Sequence, residues 1–132
     1  MNEPPQIVVH HLEQARAALA AAAEIGCAIQ LRSAQGAAGY AGVGYLKALG
    51  DELDQELLID CGDDAGLVMA ALRTGCRRIA FSGSAELGRR LGDMAAQLGA
   101  VLIMEAQAPE VVMLQPEDDG DAVLRARAGE AK

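Results

Sequence analysis

Short runs of aliphatic and β-branched residues alternate along the chain with longer Ala- and Leu-rich segments of helical period. IVVHH at 7–11 predicts a first strand that ends in His10 and His11. LEQARAALAAAAEIG at 12–26 predicts a helix, because Ala is the strongest helix former and Gly26 supplies a stop. CAIQLR at 27–32 predicts a second strand, followed by the Gly-rich passage SAQGAAGYAGVG and the helical YLKALGDELD. ELLIDC at 56–61 predicts a third strand ending in a turn at Gly62, where Asp63 or Asp64 can cap the helix AGLVMAALRTG. RRIAFSG at 77–83 predicts a fourth strand, and Ser84 is placed to cap AELGRRLGDMAAQLG. AVLIME at 100–105 predicts a fifth, and EVVML at 110–114 supplies a candidate sixth after the break at Pro109.

Strands separated by helices of this length make βαβ units and therefore a parallel sheet. The strand runs are apolar throughout instead of alternating, as in sheets whose two faces are both covered or that close into a barrel. The expected fold is α/β, a parallel βα repeat of about four units plus one or two C-terminal strands. It would be half of a TIM-type barrel or, as the alternative, an open doubly wound sheet. Strand order separates the two, because 1-2-3-4-5 belongs to the barrel and 2-1-3-4-5 to the doubly wound sheet. The pattern gives one α/β domain over 1–115. From Pro116 the chain turns to the charged sequence EDDGDAVLRARAGEAK, which reads as a flexible tail over 116–132.

Composition narrows the function. The chain of 132 residues is 52% hydrophobic but only 2% aromatic, with 15 glycines, so its core must be built from Ala, Leu, Val, Ile and Met. Without aromatics there is no base-stacking platform for RNA. A net charge of −8 argues against nucleic acid or an anionic membrane as partner. No apolar run reaches the roughly 18 residues of a membrane span. The N-terminal MNEPPQIVVHH lacks the basic and apolar regions of a signal peptide, so a cytoplasmic location is expected. Cys27, Cys61 and Cys76 have no CxxC spacing, which argues against a disulfide framework or zinc ribbon. Cys27 and Cys76 read as small buried thiols.

Candidate chemistry gathers at the predicted strand ends. Asp60 stands where βα folds place their reactive groups, although a strand-end acid can equally cap a helix or bind the Gly62 turn. Cys61 is a soft ligand or reactive thiol, or a small buried side chain. His10 and His11 would point to opposite faces, so at most one could join Asp60 and Cys61 in a metal site such as zinc. Ser33 and Gly36 in one loop, and Ser82, Gly83 and Ser84 in another, lead toward helix N-termini. Such positions suit a small anion or simply cap the helices. Arg32 could add charge to an anion, while Arg77 and Arg78 should face the opposite end. Gly39, Gly42 and Gly44 suggest close helix packing.

The stretch from Ile25 to about Glu86 resembles the class II, metal-dependent fructose- and tagatose-bisphosphate aldolases. CAIQLRSAQGAAGYAGVGYLKAL is similar to their second strand and following loop. LLIDCGDDAGLVMAALRTGCRRIAFSGS is similar to their third strand, helix and fourth strand, and HHLEQARAALAAAAEIG more weakly to the first unit. The resemblance implies a βα barrel, of which this chain would cover about the first half. It also implies a catalytic Asp at Asp60. The zinc-binding His that follows that Asp in the family is Cys61 here, an earlier His is Leu58, and a later Asp is Ser82. A metal aldolase needs zinc to polarise the ketose and an acid/base beside it, so the family's mechanism is expected to be lost. The leading expectation is a binding or interaction module without a cofactor, whose apolar inner face and open sheet edges are covered in a homodimer. The alternative is a metal-assisted lyase or other enzyme acting on a small phosphorylated substrate, using Asp60 and Cys61 with a histidine.

Overall fold

The computed structural model describes residues 4–105 and 111–113. The expected tail over 116–132 and the break at Pro109 lie outside them. In chain order the elements are β1 (Gln6–Val9), α1 (Leu12–Ile25), β2 (Gln30–Ser33), α2 (Ala37–Tyr40), α3 (Val43–Leu53), β3 (Leu58–Asp60), α4 (Ala65–Thr74), β4 (Arg78–Phe81), α5 (Ala85–Gln97), β5 (Val101–Met104) and β6 (Val111–Met113). The described strand ladders are parallel. The fold is the parallel βα repeat that the alternating pattern predicts. No helix among the described residues is long and apolar enough to cross a membrane.

Two compact units divide the described residues after Leu31, with β6 belonging to the first. In that unit β1 pairs with β6, Ile7 standing opposite Val112. The strand stops at Val9, short of the histidines, because the helix cap takes them. His11 is the N-cap of α1, its Nδ1 accepting the Gln14 N–H at 3.2 Å. Gln14 Oε1 in return accepts the His10 N–H at 2.8 Å, a reciprocal cap. His10 and His11 therefore do not form the opposed strand-end pair expected from the sequence. Gly26 ends the helix as expected, at φ +70°, with its N–H on the Ala22 and Ala23 carbonyls.

In the second unit the strands lie in the order β5-β4-β3-β2. Arg32 of β2 is in register with Leu58 of β3. Direct β2–β3 pairing excludes the doubly wound order, in which β1 would separate them, and leaves the barrel-type succession. Registers Leu58↔Arg78, Arg78↔Val101 and Asp60↔Ala80 put these residues, with Arg32 and Ile103, on one face by strand alternation. Ile59, Ile79, Phe81, Leu102 and Met104 project from the other.

Helices cover that second face, and the approach is close. A Cβ on Gly88 of α5 would stand 2.5 Å from Met104 Sδ, and one on Gly92 4.0 Å from Leu102 Cδ2. Ile59, Ile79 and Phe81 are at most 1% exposed, each contributing about 1.5–3 kcal/mol by burial. Asp64 and Ser84 cap α4 and α5 as expected, accepting the Leu67 and Leu87 N–H groups. The glycines named for close packing play another part. A Cβ on Gly39, Gly42 or Gly44 would meet nothing within 4 Å, and Gly42 is needed instead for its φ of +91°. Cys27 is exposed, not buried, while Cys76 is buried.

Candidate functional site

The C-terminal ends of β2, β3 and β5 hold the most chemically loaded cluster in the second unit. Arg32 lies in β2 on the helix-free face and is 2% exposed. A buried guanidinium must be compensated. Its Nη2 lies 2.7 Å from Asp60 Oδ2, and its Nη1 lies 2.8 Å from Glu105 Oε1. Glu105 follows β5, three interstrand steps from β2, about 14 Å on a flat sheet.

Asp60 is held from every side. Its Oδ2 takes the arginine, its Oδ1 accepts the Gly62 N–H at 2.9 Å, and its own N–H donates to Ser33 Oγ at 2.9 Å. Ser33 is the buried last residue of β2, not part of a loop at a helix N-terminus. The helix-free face of this unit was expected to be apolar. It carries Arg32, Asp60, Arg78 and Glu105 beside the apolar Leu58, Ala80, Val101 and Ile103.

This arrangement changes the electrostatics expected of the strand ends. Arg32 and Arg78 on this face are matched by Asp60 and Glu105, so their formal charges leave no surplus positive charge to draw phosphate. Arg32 is committed to carboxylates and adds no charge to an anion site. Cys61, next to Asp60, is buried, and desolvation followed by the Asp60 charge pushes its thiol up to about 12. The neutral thiol is neither nucleophile nor ready ligand near neutral pH.

The other candidate residues have local duties. The Ser82 N–H donates to the Gly62 carbonyl at 2.8 Å, tying the loops after β3 and β4 together. Ser84 Oγ is engaged in capping α5. Gly83 stands against the Phe81 ring, where a Cβ would clash. Gly36 adopts φ +83° ahead of the four-residue α2. Ser33 and Asp60 are thus brought together, while His10 and His11 belong to the first unit. Among the described residues no three His, Cys, Asp or Glu side chains are grouped to hold a metal ion.

Glu105 was missed as a site residue, and Arg32, named as a possible source of charge for an anion, is ion-paired with Asp60 and Glu105. The available signal was Arg32 itself, a charge at the end of the predicted strand CAIQLR. Such a residue requires a carboxylate partner. Asp60 and Glu105 each end an apolar strand on the same side of the sheet. No protein-family model matches the chain, and no curated protein matches it.

Proposed function

We propose that the chain is a non-catalytic α/β binding or interaction module, built on the barrel-type βα repeat of the class II aldolases and working as a homodimer in the cytoplasm. The observation that carries this reading is the commitment of Asp60. The carboxylate that the aldolase resemblance would make catalytic is consumed by Arg32 and the Gly62 N–H. The adjacent Cys61 is held as a neutral thiol. A general acid/base needs a carboxylate free to meet substrate, and Asp60 is not free.

Self-association has separate support. Among the described residues β5 has a strand partner on one side only, and its sequence VLIM carries no charge to deter pairing. Val101 is half exposed, α5 exposes Leu87 and Met94, and Leu98 just after the helix is exposed as well. A second copy related by a two-fold axis covers this edge isologously.

Two measurements on the full chain test the reading. Fructose and tagatose bisphosphates with added zinc should show no aldol cleavage above the protein-free rate. Cleavage abolished by Asp60→Asn contradicts the non-catalytic assignment. Sedimentation at tens of micromolar should give a dimer, and Val101→Lys should give a folded monomer. A monomeric wild-type chain overturns the dimer.

A further inference from the structure

In the second unit α4 and α5 pack side by side on one face of the sheet. Each crosses from one parallel strand to the next, so both run in the same direction. Gly88 and Gly92 of α5 stand over Met104 and Leu102 of β5. One residue further along a helix is a turn of about 100°. Leu87 and Met94 each precede a sheet-facing residue, Gly88 and Ala95, so they swing away from β5 and toward α4. On α4 the same winding sends Met69 and Arg73, which follow the sheet-facing Val68 and Leu72, toward α5. Met69, Leu87 and Met94 are 40%, 37% and 40% exposed, with Leu72 and Leu91 buried beneath them. The seam between the helices is therefore an open apolar groove. A dimer on the β5 edge covers the far side of α5 and leaves this groove free.

Charge on the two walls distinguishes this groove from the rest of the chain. The sequence holds 19 acidic residues against 11 basic ones, yet α4, AGLVMAALRT, has no acid. Arg73 in its last turn has no ion-pair partner among the described residues. On α5, Arg90 pairs with Glu86 at 3.9 Å, the side chains 76% and 73% exposed, an attraction that solvent largely screens. Asp93 follows Gly92 and so turns to the β5 side. Each wall thus offers an arginine above a floor of leucine. Two methionines line the opening, and their unbranched side chains adapt to the shape of a docked surface. Grooves of this kind take the apolar face of an amphipathic helix.

We propose that the α4–α5 groove docks an acidic amphipathic helix of a partner protein. The helix seats its apolar face on Met69, Leu87 and Met94 and sets its carboxylates against Arg73 and Arg90. This rests on the reading of the chain as an interaction module and supplies the chemistry of the partner. The groove of a second copy is the poorer occupant, because it would crowd arginine against arginine, and like charges facing each other suppress pairing.

The test uses two model peptides that share one leucine face on a helix and carry glutamate or lysine at the remaining positions, each added to the full chain. The glutamate peptide should shift the methyl NMR signals of Met69, Leu87 and Met94, and the lysine peptide should not. Arg73→Glu should weaken the glutamate peptide several-fold. Arg89→Glu makes the same change of charge on the β5 side of α5 and should leave the affinity unchanged. Both arginines are exposed, and circular dichroism checks that each variant folds; should Arg73→Glu not fold, Arg90→Glu takes its place. The proposal is overturned if the glutamate peptide shifts none of these methyls, if the lysine peptide binds as tightly, or if Arg73→Glu and Arg89→Glu weaken binding equally. Shifts of the same methyls on concentrating Val101→Lys alone would make a second copy the occupant and overturn it too. Aldol cleavage by the wild-type chain would refute the reading of Asp60 and leave the peptide result unchanged.

Discussion

Arg32 Nη2 and Asp60 Oδ2 stand 2.7 Å apart on neighbouring parallel strands, with the arginine side chain 3% exposed and the aspartate 15%. Desolvation makes such a pair costly unless further bonds satisfy it. Glu105, the Gly62 N–H and Ser33 Oγ supply those bonds. The cluster fixes the ends of β2 and β3 and ties them to the segment after β5. Its two carboxylates are unequal partners, and that inequality is measurable.

Glu105 is the weaker of the two because its side chain is 37% exposed. Glu105→Gln should cost about 1 kcal/mol or less, the range of solvent-screened pairs. The loss should shrink further in high salt. Urea denaturation at low and high ionic strength measures both effects. A loss of several kcal/mol would show that Glu105, not Asp60, is the main counter-charge.

Cys61 gives a pH dependence of fixed sign. Its thiol is raised from 9.0 to about 12 in the folded chain, so the folded state holds its proton more tightly than the unfolded state. This contribution is complete below pH about 9 and is lost as pH climbs toward about 12. Alkaline unfolding followed by circular dichroism should start earlier in the wild type than in Cys61→Ala. At pH 8 a thiol reagent should label exposed Cys27 and leave Cys61 unreacted. Equal labelling of the two would contradict the burial of Cys61.

The glycines divide into two kinds. Gly50→Ala in α3 forces a Cβ to 2.8 Å from the Gln55 carbonyl oxygen, backbone that cannot swing aside, and should cost about 1–3 kcal/mol, as overpacking does. Gly39→Ala adds a Cβ that meets nothing within 4 Å in a helix and should add about 0.5–1 kcal/mol. Thermal melts of the two variants should therefore move in opposite directions.

Much of this fold was legible because backbone preference and hydrophobic period agree. Gly26, Asp64 and Ser84 each mark a helix end that local chemistry alone dictates. The barrel-type order was open in the sequence, since helical crossovers of one length serve both topologies. Only the Arg32↔Leu58 register decides it. The histidines misled because Val-Val-His-His continues an extended pattern, whereas the cap at His11 and the Gln14 bond to the His10 N–H end the strand at Val9, two residues earlier. The site was half legible. Asp60 was identified by its strand-end position, but its role depends on Arg32, 28 residues away, which also holds Glu105, 73 residues from the arginine. No periodicity reports a contact between such distant residues.

A double-mutant cycle over Arg32 and Asp60 tests the central claim most directly, read by chemical denaturation. Asp60→Asn alone should cost about 3–5 kcal/mol, because it strips a buried guanidinium of its closest partner. Arg32→Met with Asp60→Asn should recover a substantial part of that loss, giving a coupling energy of about 1 kcal/mol or more. A cycle with no coupling, in which Asp60→Asn leaves stability unchanged, would contradict the structural commitment of Asp60 and return it to the candidates for catalysis.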